Sequence, residues 1–130
     1  MKTLTLKILV VDPNDFMPDL YRRLLHGLTR EGAEIENVDR PEQAMARLDA
    51  GEIPHLIITH GGLYCEIGIQ FGRDLAARGY AGGLVLVSAA VGVVGVQIPE
   101  GLFDAVVPKP FNDPSDLLLA VRQAIKTPPR

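Results

Sequence analysis

Five short apolar runs rich in branched residues recur along the chain, and helical patterns fill the intervals between them. They are LKILVVD (6–12), AEIENV (33–38), HLIITH (55–60), GLVLVS (83–88) and DAVVP (104–108). Runs one, three and four are nearly unbroken in apolar residues, the pattern of parallel strands covered on both faces. The second run is more polar and suits a place at or near a sheet edge. Strand and helix alternating five times predict an α/β fold, a single doubly wound parallel sheet with right-handed crossovers. The 130 residues fit one domain, 1–126, with TPPR (127–130) as a frayed tail.

The helical segments carry their own signals. Residues 14–30 place Phe16, Leu20, Leu24 and Leu28 at one-face spacing, with Pro18 tolerated in the first turn. Asp39 and Glu42, three apart, have the form of a capping box for a second helix running to about Ala50. A third is expected over 66–78, with Ile67, Phe71 and Leu75 inward and Gly79 closing it. The last opens at NDPSD with an acidic cap and Pro114 in first place, then repeats Leu117, Leu118, Val121, Ala124 and Ile125 at helical spacing. Between the fourth and fifth strands, AAVGVVGVQIPEG holds Gly92, Gly95 and four valines, all poor helix formers. A short distorted helix or an irregular loop is expected there.

Charge and cysteine usage exclude several classes. A net charge of −3 argues against general nucleic-acid affinity, which needs a basic field. The single cysteine, Cys65, leaves no internal disulfide and fits a reducing cytoplasm. MKTLTLKILVVD reaches an acid after too short an apolar stretch for a signal peptide. Residues 81–98 are uncharged, but they contain Ser88 and Gln97 and divide into a buried strand (84–88) and a following loop or weak helix. A cytoplasmic protein without membrane contact is expected.

In a parallel sheet the carboxyl ends of the strands converge on one rim. The residues delivered there are Asp12, His60, Ser88 and Lys109. A carboxylate, an imidazole, a hydroxyl and an ammonium form either a site or a set of polar groups that satisfy one another.

These same positions carry a resemblance, over roughly residues 6–126, to the receiver domain of two-component response regulators. KILVVDPNDF resembles the receiver's first strand and acidic loop. PHLIITHGGLYCEIG resembles its third strand, with Gly68 at the usual glycine of the third helix. LVLVSAA carries the hydroxyl followed by alanine, and VVPKPF carries the lysine, proline and aromatic. The resemblance implies a flavodoxin/receiver-like sheet in the strand order 2-1-3-4-5. It also implies a pocket in which two acids after the first strand and an aspartate after the third hold Mg²⁺. That aspartate accepts phosphate, and the hydroxyl and lysine bind the phosphoryl oxygens.

Matched position by position, the chain departs from this pattern. Asp12 matches the first acid, but Pro13 stands in place of the second and His60 in place of the phosphorylated aspartate. Ser88 and Lys109 match, while Tyr64 replaces a usual proline and Val106 a frequent aromatic. Mg²⁺ requires hard oxygen ligands, and imidazole is a poor substitute. The expectation is a degenerate phosphorylation pocket (Asp12, Pro13, His60, Ser88, Lys109) with no cofactor, metal or catalysis. There Lys109 pairs with Asp12, and His60 hydrogen-bonds Ser88 or Asp12. A metal site from Asp12, Asp15 and His60 lacks a clear fourth ligand.

Other residues read as ordinary. Asp15 suits a helix cap, and Cys65 a passive small residue. His26 suits a helix surface, His55 the start of a strand, and Arg22, Arg23 and Arg30 a solvated helix face. Gly92 and Gly95 follow the wrong strand for a dinucleotide fingerprint. The acidic, proline-bearing DPNDFMPD is hostile to a flavin phosphate. The expected function is protein–protein contact in a two-component type pathway, with a signalling partner or a second copy. The receiver face of fourth helix, fifth strand and fifth helix would carry it, with Val91, Val93, Val94, Val96 and Val106 as interface. The alternatives are a small-ligand binder or enzyme using the rim pocket, and a receiver phosphorylated at an unconventional residue.

Overall fold

Five parallel strands stand at the centre of the computed structural model, which describes residues 6–14, 17–93, 95–109 and 113–125. The strands are β1 (Lys7–Val11), β2 (Glu34–Val38), β3 (Leu56–His60), β4 (Gly83–Ser88) and β5 (Ala105–Pro108). Their order is β2-β1-β3-β4-β5, all pairs parallel. The helices are α1 (Met17–Leu24), α2 (His26–Arg30), α3 (Pro41–Asp49), α4 (Glu66–Ala77) and α5 (Pro114–Ala124). The doubly wound α/β class and the strand order agree with the expectation. No described helix is long and apolar enough to cross a membrane.

Side-chain alternation along the strands builds two cores. Ile8, Val10, Leu56, Ile58, Val85 and Val87 face one side, where Tyr21, Leu25, Leu117 and Val121 cover them. Leu9, Val11, Ile57 and Leu84 face the other, against Ala44, Leu48, Phe71 and Leu75. The more polar second strand lies at an edge, as expected, with its first and third residues exposed.

Four local readings are corrected. The segment 14–30 is two helices, because the chain turns at Leu25 (φ −103°, ψ 21°). Its buried stripe is Met17, Tyr21, Leu25 and Leu28, while Leu20 and Leu24 only flank the core and Phe16 lies outside the described residues. The capping box of α3 belongs to other residues. Pro41 is the first helical residue, so Gln43 is third, and its Oε1 accepts from the N–H groups of Asp39 (2.7 Å) and Arg40 (3.0 Å). Ile67 is 46% exposed rather than inward, since Gly68, Phe71, Gly72 and Leu75 set the buried face of α4. Between β4 and β5 the described residues form turns and no helix, the irregular-loop alternative of the expectation.

Other signals hold. Gly79 ends α4 at φ +83°. The side chain of Asp113 caps α5 by accepting from the Ser115 N–H at 2.9 Å, directly before Pro114. The expected tail, 127–130, and the aromatic Phe111 lie outside the described residues.

Close approach requires glycine where β4 begins. A Cβ at Gly83 would collide with the Ala124 carbonyl and the Leu56 side chain. Overpacking of this kind costs about 1–3 kcal/mol. Gly83→Ala is therefore expected to lower the urea midpoint at unchanged slope, whereas an unaltered midpoint would show that α5 yields freely.

Candidate functional site

Because all five strands run parallel, β1, β3, β4 and β5 deliver their last side chains to one rim. Asp12 extends β1 by one residue, its N–H donating to the Val38 carbonyl at 3.0 Å. Its carboxylate is 3% exposed and has two donors. Oδ1 accepts from the Asn14 N–H at 2.9 Å, and Oδ2 accepts from the Lys109 ammonium at 3.2 Å. Lys109 is fixed from behind, its own N–H donating to the Ser88 carbonyl at 3.0 Å. This is the pair read from the sequence, joining residues 97 apart in the chain.

Ser88 ends β4 and is 4% exposed. Its Oγ accepts from the Ala90 N–H at 3.1 Å and from the Cys65 thiol at 3.5 Å. His60 ends β3, aligned with Val87 of β4, and is half-buried. Among the described residues its imidazole bonds neither Ser88 nor Asp12, contrary to expectation. Burial holds its pKa below the ordinary 6.5; the nearby Asp12 charge opposes this shift and Lys109 adds to it.

The loop after β3 explains the arrangement. A Cβ at Gly61 would stand 2.6 Å from the Ser88 Oγ, so this position requires glycine if the two strand ends are to meet. Tyr64 and Cys65 then adopt left-handed backbone conformations (φ 52° and 64°), uncommon for residues with side chains. The double twist turns Cys65 inward beneath Ser88, fully buried, and leaves Tyr64 54% exposed. Gly68 locks the loop to α4 through its N–H to the Gly61 carbonyl at 3.0 Å.

The result is an open pocket of about 450 Å³ walled by His60, Tyr64, Ser88, Ala90, Val93 and Lys109. Pro13 is exposed beside Asp12 and brings no side-chain oxygen. Asp15 lies outside the described residues, as does Val94. Among the other interface candidates, Val93 (44%) and Val106 (37%) are exposed, and Val91 and Val96 are half-buried.

Sequence reasoning passed over Tyr21. Its phenol is buried with no hydrogen-bond partner among the described residues, and burial followed by the Asp12 charge raises its pKa. The spacing Met17, Tyr21, Leu25 was the available signal.

The residues present do not fit the Mg²⁺ that a receiver pocket implies. The one described carboxylate at the rim, Asp12, is already held by an ammonium and an N–H, and His60 offers nitrogen where hard oxygen is needed. No described group of three His, Cys, Asp or Glu could hold a metal ion.

A five-stranded parallel sheet in this order, with polar strand ends gathered at one rim, is the fold of response-regulator receiver domains, and solved structures bear this out. A signal receiver domain of an HD-domain protein from Pseudomonas fluorescens Pf-5 is 24% identical, with 93% of this chain and 94% of that one covered and a TM-score of 0.75. A chemotaxis response regulator of Vibrio cholerae is 18% identical (94% and 100% covered, TM-score 0.74). A CheY-like receiver domain from Methylobacillus flagellatus is 19% identical (93% and 99% covered, TM-score 0.73). At these identities the likeness is one of fold. No protein-family model matches the chain. No curated protein matches it in sequence.

The depressed pKa of His60 sets a pH dependence. The unfolded chain takes up this proton near pH 6.5, whereas the folded protein does so only at lower pH. Stability from this group is therefore fully present above about pH 6.5 and is lost as pH falls toward the folded value. His60→Asn is expected to flatten that limb of the stability–pH curve. NMR titration of the native protein should place the His60 midpoint below about 6.5, and a midpoint above it would contradict the burial argument.

Proposed function

We propose that the chain is a receiver-like signalling module of a two-component type pathway that acts by protein–protein contact and takes no phosphate at its rim. One observation carries this reading. The Asp12 carboxylate is paired with the Lys109 ammonium at 3.2 Å, and an imidazole occupies the place where a receiver holds its acceptor aspartate. A phosphoryl donor reaching this pocket meets neither a carboxylate nucleophile nor a metal to offset its charge. The ammonium that would bind phosphoryl oxygens shares its charge with a nearly buried acid, which leaves no net positive charge at the rim to meet a phosphoryl dianion.

The module works by binding and not by turnover. Nucleophilic catalysis needs a hydroxyl or thiol activated by an adjacent base. Among the described residues the His60 imidazole hydrogen-bonds neither Ser88 nor Cys65. The partner is a signalling protein or a second copy. It would meet the exposed Val106 of the β5 edge and the exposed Val93 at the rim, apolar surface that the described residues leave uncovered. The single cysteine, Cys65, buried without a disulfide, fits a cytoplasmic setting.

Incubation with acetyl phosphate and Mg²⁺, followed by intact mass measurement, is expected to leave the mass unchanged. Gain of one hydroxylamine-sensitive phosphate would overturn the reading. The pocket assignment has its own check, since Pro13→Asp with His60→Asp places three carboxylates beside Ser88 and Lys109. Calorimetry of that folded double variant should detect Mg²⁺ binding in roughly the millimolar range that few-carboxylate sites give. Its absence would show that these positions do not converge as a receiver's acids do.

A further inference from the structure

The rim pocket has unused donors whose arrangement favours a particular kind of ligand. Ser88 is nearly buried, and its Oγ already accepts from both the Ala90 N–H and the Cys65 thiol. A hydroxyl has two acceptor positions and one proton, so only the proton remains to be offered. Lys109 carries three protons, of which Asp12 takes one at 3.2 Å, and its side chain is 23% exposed at the pocket wall. His60, half-buried on the same wall, has a ring N–H with no partner among the described residues. Three donors thus face a space of about 450 Å³, a size that takes a small organic molecule. Tyr64, Ala90 and Val93 make the remaining walls apolar.

We propose that this pocket binds a small organic monocarboxylate, its oxygens held by Lys109, Ser88 and His60 and its apolar body set against Tyr64 and Val93. Charge selects the monoanion. Lys109 and Asp12 cancel, so the pocket starts neutral and one added negative charge is matched by one proton taken up on His60. A phosphate dianion would leave a charge uncompensated beside Asp12. The charged groups facing His60 are Asp12 after β1 and Lys109 after β5. The site stands on its own observations but shares Val93 with the interaction surface proposed above.

The test is an NMR titration of the isotope-labelled protein with benzoate, benzamide and inorganic phosphate. Benzoate should move the amides of Gly61, Gly62, Ser88, Ala89 and Ala90 saturably, and benzamide should not. Affinity should be about three- to tenfold tighter near pH 5.5 than near pH 7.5, and His60→Asn should erase that difference. Removing Lys109 alone would strand the buried Asp12, so Lys109→Gln is combined with Asp12→Asn, and this variant should bind benzoate at least about tenfold more weakly. Four results would overturn the assignment: no saturable benzoate shift at the rim, equal binding of benzamide, tighter binding of phosphate than of benzoate at the higher pH, where phosphate is largely the dianion, or unchanged affinity in the double variant. A pH-independent affinity in the native protein would remove His60 from the site.

Discussion

Burial on both faces of β1, β3 and β4 is the constraint from which the rest of the molecule follows. Val10, Ile58 and Val85 on one side, and Val11, Ile57 and Leu86 on the other, have no solvent exposure. Each such side chain contributes about 1.5–3 kcal/mol relative to an exposed one, so a charge in mid-strand would forfeit more than it could recover. Thr59, a polar residue in the buried part of β3, turns its hydroxyl onto the neighbouring His60 carbonyl at 3.1 Å. Other polar chemistry is pushed past the strand ends, and parallel pairing collects those ends on a single rim.

At that rim, desolvation dictates the partners. A carboxylate as buried as Asp12 costs several kcal/mol if left alone, and the Asn14 N–H and the Lys109 ammonium offset this together. With proline at 13 and histidine at 60, Lys109 has no described carboxylate at the rim to serve besides Asp12. The imidazole, held toward its neutral form by burial, adds no charge to upset the balance. A site electrostatically complete within itself has little need of a divalent ion.

Much of this was legible in the sequence because it depends on pattern. Continuous apolar runs announce the buried parallel strands, and the strand-end rule assigns Asp12, His60, Ser88 and Lys109 to one rim. Pro114 and Gly79 marked helix ends because their backbone preferences are local. What stayed hidden depends on phase and handedness. The turn at Leu25 shifted the buried stripe of the first helical segment onto Met17 and Tyr21, and nothing in MPDLYRRLLHG forces a break there. The left-handed Tyr64 and Cys65 are imposed by tertiary closure, since Cys65 must reach beneath Ser88. That twist also sets where α4 starts, and therefore why Ile67 points outward. Gln43 took the capping role expected of Glu42 because the helix begins at Pro41.

Lys109 joins two parts of the molecule that are otherwise distinct. It follows directly on the edge strand β5, whose Val106 is exposed, while its ammonium crosses the rim to Asp12 beyond β1. The final strand is thus moored at the rim by a bond that also governs the charge of the pocket. An occupant that drew the ammonium away from Asp12 would loosen this mooring. Were an edge-bound partner to hold the ammonium on Asp12, the two events would alter each other's affinity by the same factor. Such communication between pocket and edge would need no helix rotation and no phosphate, only the choice a single cation makes between two acids.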